Sequence, residues 1–235
     1  MSRITIPQTD KTPSASLPLL EAVNRQLGVV PNLMKVIGNS PAALEGYLSL
    51  NGALGKGTIG AKTSERIALA VAELNKCGYC LSAHSYLGNN LAKLDPAELD
   101  ANRHGNSNDP KAAAALRFAT QIVGTRGHVS DENLAAVKVA GYSEAEIIEI
   151  VLLVALNTLT NYVNNVVQTD IDFPVVKPFN KPIQFRGVDS YDRRTQNRQR
   201  CCLHARRQGN PIPQGVAWRL CPNGKPRRLG DNDYR

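Results

Sequence analysis

Aromatic residues are scarce in this chain: one tryptophan, four phenylalanines and seven tyrosines amount to 5% of 235 residues. A core of stacked aromatic strands is therefore disfavoured, and the many alanines and leucines favour helices. Long apolar runs are also missing. The longest, IVLLVAL at 150–156, falls well short of the ~20 residues needed to cross a bilayer. The opening stretch MSRITIPQTDKTPSAS has no apolar segment of the secretory kind. The expected setting is the cytoplasm, with no membrane partner. Charge of one sign is absent from residues 1–180, which hold 15 Lys+Arg against 16 Asp+Glu, a balance of −1. Such a body gives no electrostatic reason to expect nucleic acid as a partner.

The net charge of +8 comes from the end of the chain: residues 181–235 hold 13 Lys+Arg and 4 Asp+Glu, a balance of +9. This stretch is Arg-rich and interrupted by Gly and Pro, with no hydrophobic period. It reads as a disordered or loosely attached basic tail. The expected organisation is a helical domain over 1–180 followed by the tail over 181–235.

Helix start signals recur through the body. Ser40 precedes Pro41, which suits a first helical position because its missing N–H costs nothing there. Asp95, Pro96 and Glu98 have capping-box spacing, and Asp109–Pro110 repeats the Asp–Pro opening of a helix that can end at Gly124. Ser130 caps a segment that stops at Gly141. Ser143 and Glu146 open a long helix in which Ile147, Ile150, Val151 and Val154 share one face. Its centre is apolar nearly all round, which predicts burial. No segment alternates with period two, so the fold class is all-α.

The five cysteines, Cys77, Cys80, Cys201, Cys202 and Cys221, are odd in number, and in a reducing compartment they are expected to be free, catalytic or metal-binding rather than a structural framework. Two of them stand in CGYCLSAH at 77–84, after the helical run TSERIALAVAELNK. That helix is expected from about Thr63 to Asn75, with Asn75 as N-cap of the next one and Cys77 and Cys80 in or near its first turns. At i,i+3 the two sulfurs can close a small disulfide ring. Near a helix N-terminus, unpaired N–H groups favour thiolate. His84 lies one turn beyond Cys80 on the same face. Glu65, on the preceding helix, can reach the histidine if the two helices pack together, and Glu73 is its rival. Two buried thiols remain an alternative reading. So does a zinc site, although Cys77, Cys80 and His84 are closely spaced for one tetrahedron and the body has no second ligand cluster. A thioredoxin-like motif would need a strand before it.

The pattern Glu65-x11-Cys77-x2-Cys80-x3-His84, within SERIALAVAELNKCGYCLSAHSYLG, resembles the signature of the alkylhydroperoxidase D-like proteins of the carboxymuconolactone decarboxylase superfamily. The flanks over about residues 15–175 resemble its peroxidase-related members. The resemblance implies an all-helical fold, a cofactor-free thiol peroxidase and a homo-oligomer such as a trimer or hexamer. By position, Cys80 resembles the peroxidatic cysteine and Cys77 the resolving one, with His84 and Glu65 as proton relay. The implied partners are a hydroperoxide and a dithiol donor, lipoylated or thioredoxin-like. Where alkylhydroperoxidase D has a second histidine between the cysteines, this chain has Tyr79, expected to pack rather than to act as a catalytic phenol. The decarboxylase branch lacks the cysteine pair, which makes that reaction the weaker reading.

Two rivals come from other classes. A protein disulfide oxidoreductase would use the same dithiol on protein substrates. A nucleic-acid-binding protein would use the basic tail, although Tyr191, Trp218 and Tyr234 are too scattered for a stacking surface. Cys201, Cys202, His204 and Cys221 match no familiar zinc module. His104 and His128 fall in loop-like segments and are expected at the surface. Asn157, Asn161 and Asn164, at the polar end of the long helix, either line a pocket or interface or belong to a solvated helix end.

Overall fold

The computed structural model describes residues 2–180 and the short stretches 218–220 and 226–228. The chain divides into two units, Met1–Val188 and Asp189–Arg235. In the first unit the described residues form α1 (Leu17–Leu27), α2 (Asn32–Ile37), α3 (Pro41–Leu54), α4 (Gly60–Leu74), α5 (Gly78–Asn90), α6 (Pro96–Arg103), α7 (Pro110–Thr125), α8 (Asp131–Val139) and α9 (Glu144–Val167). The body is all-α, as the composition predicts.

Local chemistry sets most of the boundaries. The side chains of Ser40, Asp95, Asp109, Ser130 and Ser143 each accept a backbone N–H in the first turn of the helix that follows. At Ser143 the capping box is complete, because the Glu146 carboxylate returns to the Ser143 N–H at 2.7 Å. At Asp95 only half of the box forms. Glu98 turns inward instead and takes donors from Arg66, Asn102, Ser107 and Asn108. The helix expected to end at Gly124 runs one residue further, and Arg126 and Gly127 make the turn with φ of 55° and 86°.

α4 is the centre of the body, packed against α5, α6, α7 and α9. Its two sides feed two apolar clusters. Ile67, Ala70 and Val71 meet Leu116 and Phe118 of α7 and Ile150 and Val154 of α9. Leu69 and Ala72 meet Leu33, Leu44 and the start of α5 on the other side. The seam between these clusters holds the candidate site.

α9 departs from the expectation of burial all round. Ile147, Ile150, Leu153 and Val154 are buried, but Ile148, Val151, Leu152, Leu159, Tyr162 and Val166 are exposed. Val151 thus leaves the predicted buried set. Within one chain, neighbours cover only one side of this helix. By length and composition α9 would suffice to cross a membrane, yet its inner side is the wall of the helical core.

After α9, residues 169–180 run as an irregular strap across the start of α5. Asp172 accepts the Asn32 N–H at 2.7 Å, the Val176 N–H donates to Ser82 Oγ at 2.9 Å, and the Phe179 N–H donates to Glu73 at 2.8 Å. In the second unit, β1 (Trp218–Leu220) pairs antiparallel with β2 (Pro226–Arg228), with Arg219 opposite Arg227. The rest of the basic tail, including the expectation of disorder, lies outside the described residues.

Candidate active site

The turn between α4 and α5 explains where the cysteines stand. Asn75 closes α4 instead of opening α5, and Lys76 takes the left-handed conformation at φ 54°. The Asn75 side chain is engaged elsewhere: its amide donates to Asn161 Oδ1 at 3.0 Å. The N-cap of α5 is Cys77 itself, whose Sγ accepts the Cys80 N–H at 3.2 Å. Cys80 is therefore the third residue of α5, among the unpaired N–H groups of a helix N-terminus. Cys77 and Cys80 are joined by a disulfide, with their Cα atoms 5.3 Å apart.

The two sulfurs have different surroundings. Cys77 is 0% exposed and belongs to an apolar cluster that includes Phe173 and Val176 of the strap. Cys80 is 3% exposed and borders a cavity of about 100 Å³, which Cys77 does not line. The cavity draws Leu33 from α2, Tyr47 from α3, Glu65 from α4, His84 from α5 and Asn164 from α9. His84 Nδ1 and Glu65 Oε2 are 2.9 Å apart. The hydrogen bond leaves Nε2 as the ring nitrogen free to exchange a proton, the arrangement a relay needs.

Glu73, the rival of Glu65, does other work. It is 0% exposed, and its carboxylate takes Arg103 Nε at 3.0 Å, Arg103 Nη2 at 2.8 Å, Lys76 Nζ at 3.2 Å and the Phe179 N–H. It anchors the strap and does not line the cavity.

Tyr79 is buried, and its hydroxyl donates to Asp172 Oδ1 while accepting the Leu33 N–H. Its ring meets Phe173 edge-on, with centroids 5.9 Å apart. Burial, and then the bond to Asp172, push its pKa well above the ordinary phenol value. Tyr79 packs and ties rather than ionises.

Sequence reasoning did not single out Tyr47. It borders the cavity from α3, and burial, reinforced by the Glu65 charge, raises its pKa to about 12. Nothing in LEGYLSL distinguishes this tyrosine from a packing residue. Asn157, Thr160 and Asn164 of α9 form the polar wall of the cavity, whereas Asn161 does not line it and instead accepts the Asn75 amide. His104 is half-exposed and stacks on Phe179, with centroids 4.5 Å apart, outside the cavity. Among the described residues, no group of three or more His, Cys, Asp or Glu side chains is arranged to hold a metal. The tail set Cys201, Cys202, His204 and Cys221 lies outside the described residues.

The sequence profile of the Carboxymuconolactone decarboxylase family matches residues 41–121. A search of curated proteins finds no match. Among solved structures, a peroxidase-related protein from Silicibacter sp. TM1040 superposes with a TM-score of 0.64 at 22% identity, covering 79% of this chain and 96% of that one. A peroxidase-related protein described as an alkylhydroperoxidase AhpD core, from Ralstonia eutropha JMP134, gives 0.64 at 21%, covering 77% and 94%. The debrominase Bmp8, a cysteine-to-alanine variant in complex with 2,3,4-tribromopyrrole, gives 0.62 at 21%, covering 73% and 94%. At these identities the structural likeness speaks for the fold. The profile match to the Carboxymuconolactone decarboxylase family spans the helices that carry Glu65, Cys77, Cys80 and His84, and the helical body has the fold of these peroxidase-related structures.

Proposed function

We propose that the protein is a cofactor-free thiol peroxidase that cycles Cys77 and Cys80 between dithiol and disulfide. The observation that carries this reading is the asymmetry of the pair: the Cys80 sulfur borders a cavity shared with His84 and Glu65, and the Cys77 sulfur bonded to it lies buried behind.

In the reduced state the N-terminus of α5 favours the Cys80 thiolate. The thiolate attacks the terminal oxygen of a hydroperoxide. The O–O bond breaks, Cys80 becomes a sulfenic acid, and the leaving alkoxide takes a proton from His84, held in place by Glu65. The Cys77 thiolate then attacks the sulfenic sulfur. A disulfide forms and hydroxide leaves as water, taking the proton from Cys77 through the relay. An external dithiol, lipoylated or thioredoxin-like, restores the thiols by exchange. Its thiolate attacks Cys80, the sulfur that borders the cavity, and Cys77 departs as thiolate at the helix N-cap. A cavity of about 100 Å³ beside Cys80 suits a small hydroperoxide as oxidant. The expected setting remains the cytoplasm, where such donors keep thiols reduced.

The homo-oligomer expectation gains support from α9. Ile148, Leu152, Leu159, Tyr162 and Val166 form an apolar stripe along one side of the helix, directly behind the wall of the cavity. A second copy presenting the same stripe would bury it by two-fold pairing. Leu159→Arg is expected to lower the sedimentation coefficient; an unchanged value would remove α9 from the interface.

Mass spectrometry after stoichiometric hydroperoxide treatment of the reduced protein tests the activity. The wild type should form the Cys77–Cys80 disulfide, Cys77→Ser should retain a trappable sulfenic acid on Cys80, and Cys80→Ser should trap nothing at Cys77. Reduced wild type that ignores hydroperoxides overturns the reading.

A further inference from the structure

The Asn164 side chain touches the reacting sulfur. It is 3% exposed and borders the cavity from α9, and its Nδ2 donates to Cys80 Sγ at 3.3 Å. Its Oδ1 is buried and has no hydrogen-bond partner among the described residues. The neighbours on the same helical face differ. Asn157 spends its amide on the Leu153 carbonyl at 2.8 Å, and Thr160 spends its hydroxyl on the Asn157 carbonyl at 2.9 Å. Both satisfy their donors within α9. Asn164 alone turns its amide to the sulfur and keeps a carbonyl oxygen for something else.

The orientation of this amide is fixed by chemistry. A disulfide sulfur has no proton to give, so only the NH2 end can face it favourably. An unpaired buried carbonyl costs about 1–3 kcal/mol, and an amide that retains one beside a reactive sulfur is poised for a ligand with an O–H. A hydroperoxide, R–O–O–H, has one donor, and it sits on the oxygen that the thiolate attacks.

Resting on the peroxidase reading above, we propose that Asn164 is a catalytic residue that clamps both reactants. Nδ2–H binds the Cys80 thiolate, and later the sulfur of the sulfenic acid. Oδ1 accepts the terminal O–H of the hydroperoxide and brings that oxygen to the sulfur with its O–O bond directed away. The clamp transfers no electrons: Cys80 gives the pair that forms the S–O bond, and the O–O pair leaves on the alkoxide, which His84 protonates. The preferred ligand class is a small hydroperoxide with a free O–OH end. A dialkyl peroxide, which lacks the donor, gains nothing from Asn164.

The test compares two reactions of the same sulfur in the reduced full-length chain, read by peptide mass spectrometry at Cys80. Hydrogen peroxide has the O–H that the clamp uses, and iodoacetamide does not need it. Both rates are taken at the alkaline plateau, where the thiol is ionised. Asn164→Ala is expected to lower the peroxide rate at least tenfold and to leave alkylation within twofold. Parallel falls in the two rates would mean a structural role and overturn the clamp, as would an unchanged peroxide rate. Asn164→Leu, which fills the wall, provides the same comparison should the alanine variant fail to fold. Wild type that is alkylated but never oxidised removes the peroxidase reading, and the clamp with it. Wild type that is oxidised and an alanine variant that matches it remove the clamp alone.

Discussion

Tyr79 donates its phenolic hydrogen to Asp172 Oδ1 at 2.8 Å and accepts the Leu33 N–H at 3.1 Å, so one side chain between the cysteines joins α2, α5 and the strap. The position that holds a second histidine in the alkylhydroperoxidase D signature is therefore a tie here. Tyr79→Phe keeps the ring against Phe173 but leaves the Leu33 N–H and the Asp172 carboxylate short of a partner. Loss of about 1–3 kcal/mol in urea unfolding is expected, with the rate of Cys80 oxidation nearly unchanged. A large fall in that rate with stability intact would make the phenol catalytic instead.

Glu73 concentrates four donors on one buried carboxylate and holds the strap through the Phe179 N–H, while the Arg103 guanidinium lies 3.9 Å from the centre of the Phe179 ring. Glu73→Gln removes the charge and leaves Arg103 largely buried without its counter-ion. Breaking such a pair costs about 3–5 kcal/mol, to be read in guanidinium unfolding. The carboxylate does not border the cavity, so folded variant should still form the Cys77–Cys80 disulfide with hydroperoxide.

Glu98 carries a pH dependence of stability. Burial by itself would raise its pKa. The Ser107 hydroxyl, the Asn108 N–H, the Asn102 amide and the Arg66 charge outweigh burial and bring it from an ordinary 4.5 down to about 2. The folded state thus holds the carboxylate more tightly than the unfolded chain does. Its contribution is fully present above about pH 4.5 and is lost as the pH falls towards 2, where the folded state also protonates. A shift of this size corresponds to about 3 kcal/mol. Glu98→Gln should flatten the stability profile between these limits; a profile as steep as that of the wild type would assign the acid sensitivity to another carboxylate.

The sequence made the helices legible because their starts are chemical: serine or aspartate before proline or glutamate marks a cap wherever the chain folds. Cys77 was missed as a cap because a thiol lies outside the usual capping set, and Asn75, a typical cap, was taken by Asn161 across the fold. The pairing of Glu65 with His84 was readable from spacing together with the resemblance, since both residues sit on sequential helices. Tyr47 reaches the cavity from α3 with no local pattern to announce it, and the polar end of α9 pointed to a pocket for Asn164 but not to its contact with Cys80. The strap was equally silent. DIDFPVVKPFN has no period because its backbone amides bind Ser82 and Glu73 instead of one another.

Glu65→Gln isolates the relay. The substitution preserves size and leaves an amide 2.9 Å from His84 Nδ1, which can still hold the ring through its carbonyl oxygen but no longer supplies a negative charge. The imidazolium that forms when His84 takes a proton loses its electrostatic partner, and proton transfer to the leaving alkoxide slows. General acid–base steps contribute roughly 10²–10⁴-fold, so a fall in Cys80 oxidation of one to two orders of magnitude is expected, with His84→Ala lower still. The double variant should be no slower than His84→Ala alone, because the carboxylate acts through the histidine. Stopped-flow oxidation of the four proteins decides the matter: additive losses would mean that Glu65 reaches the substrate by its own route.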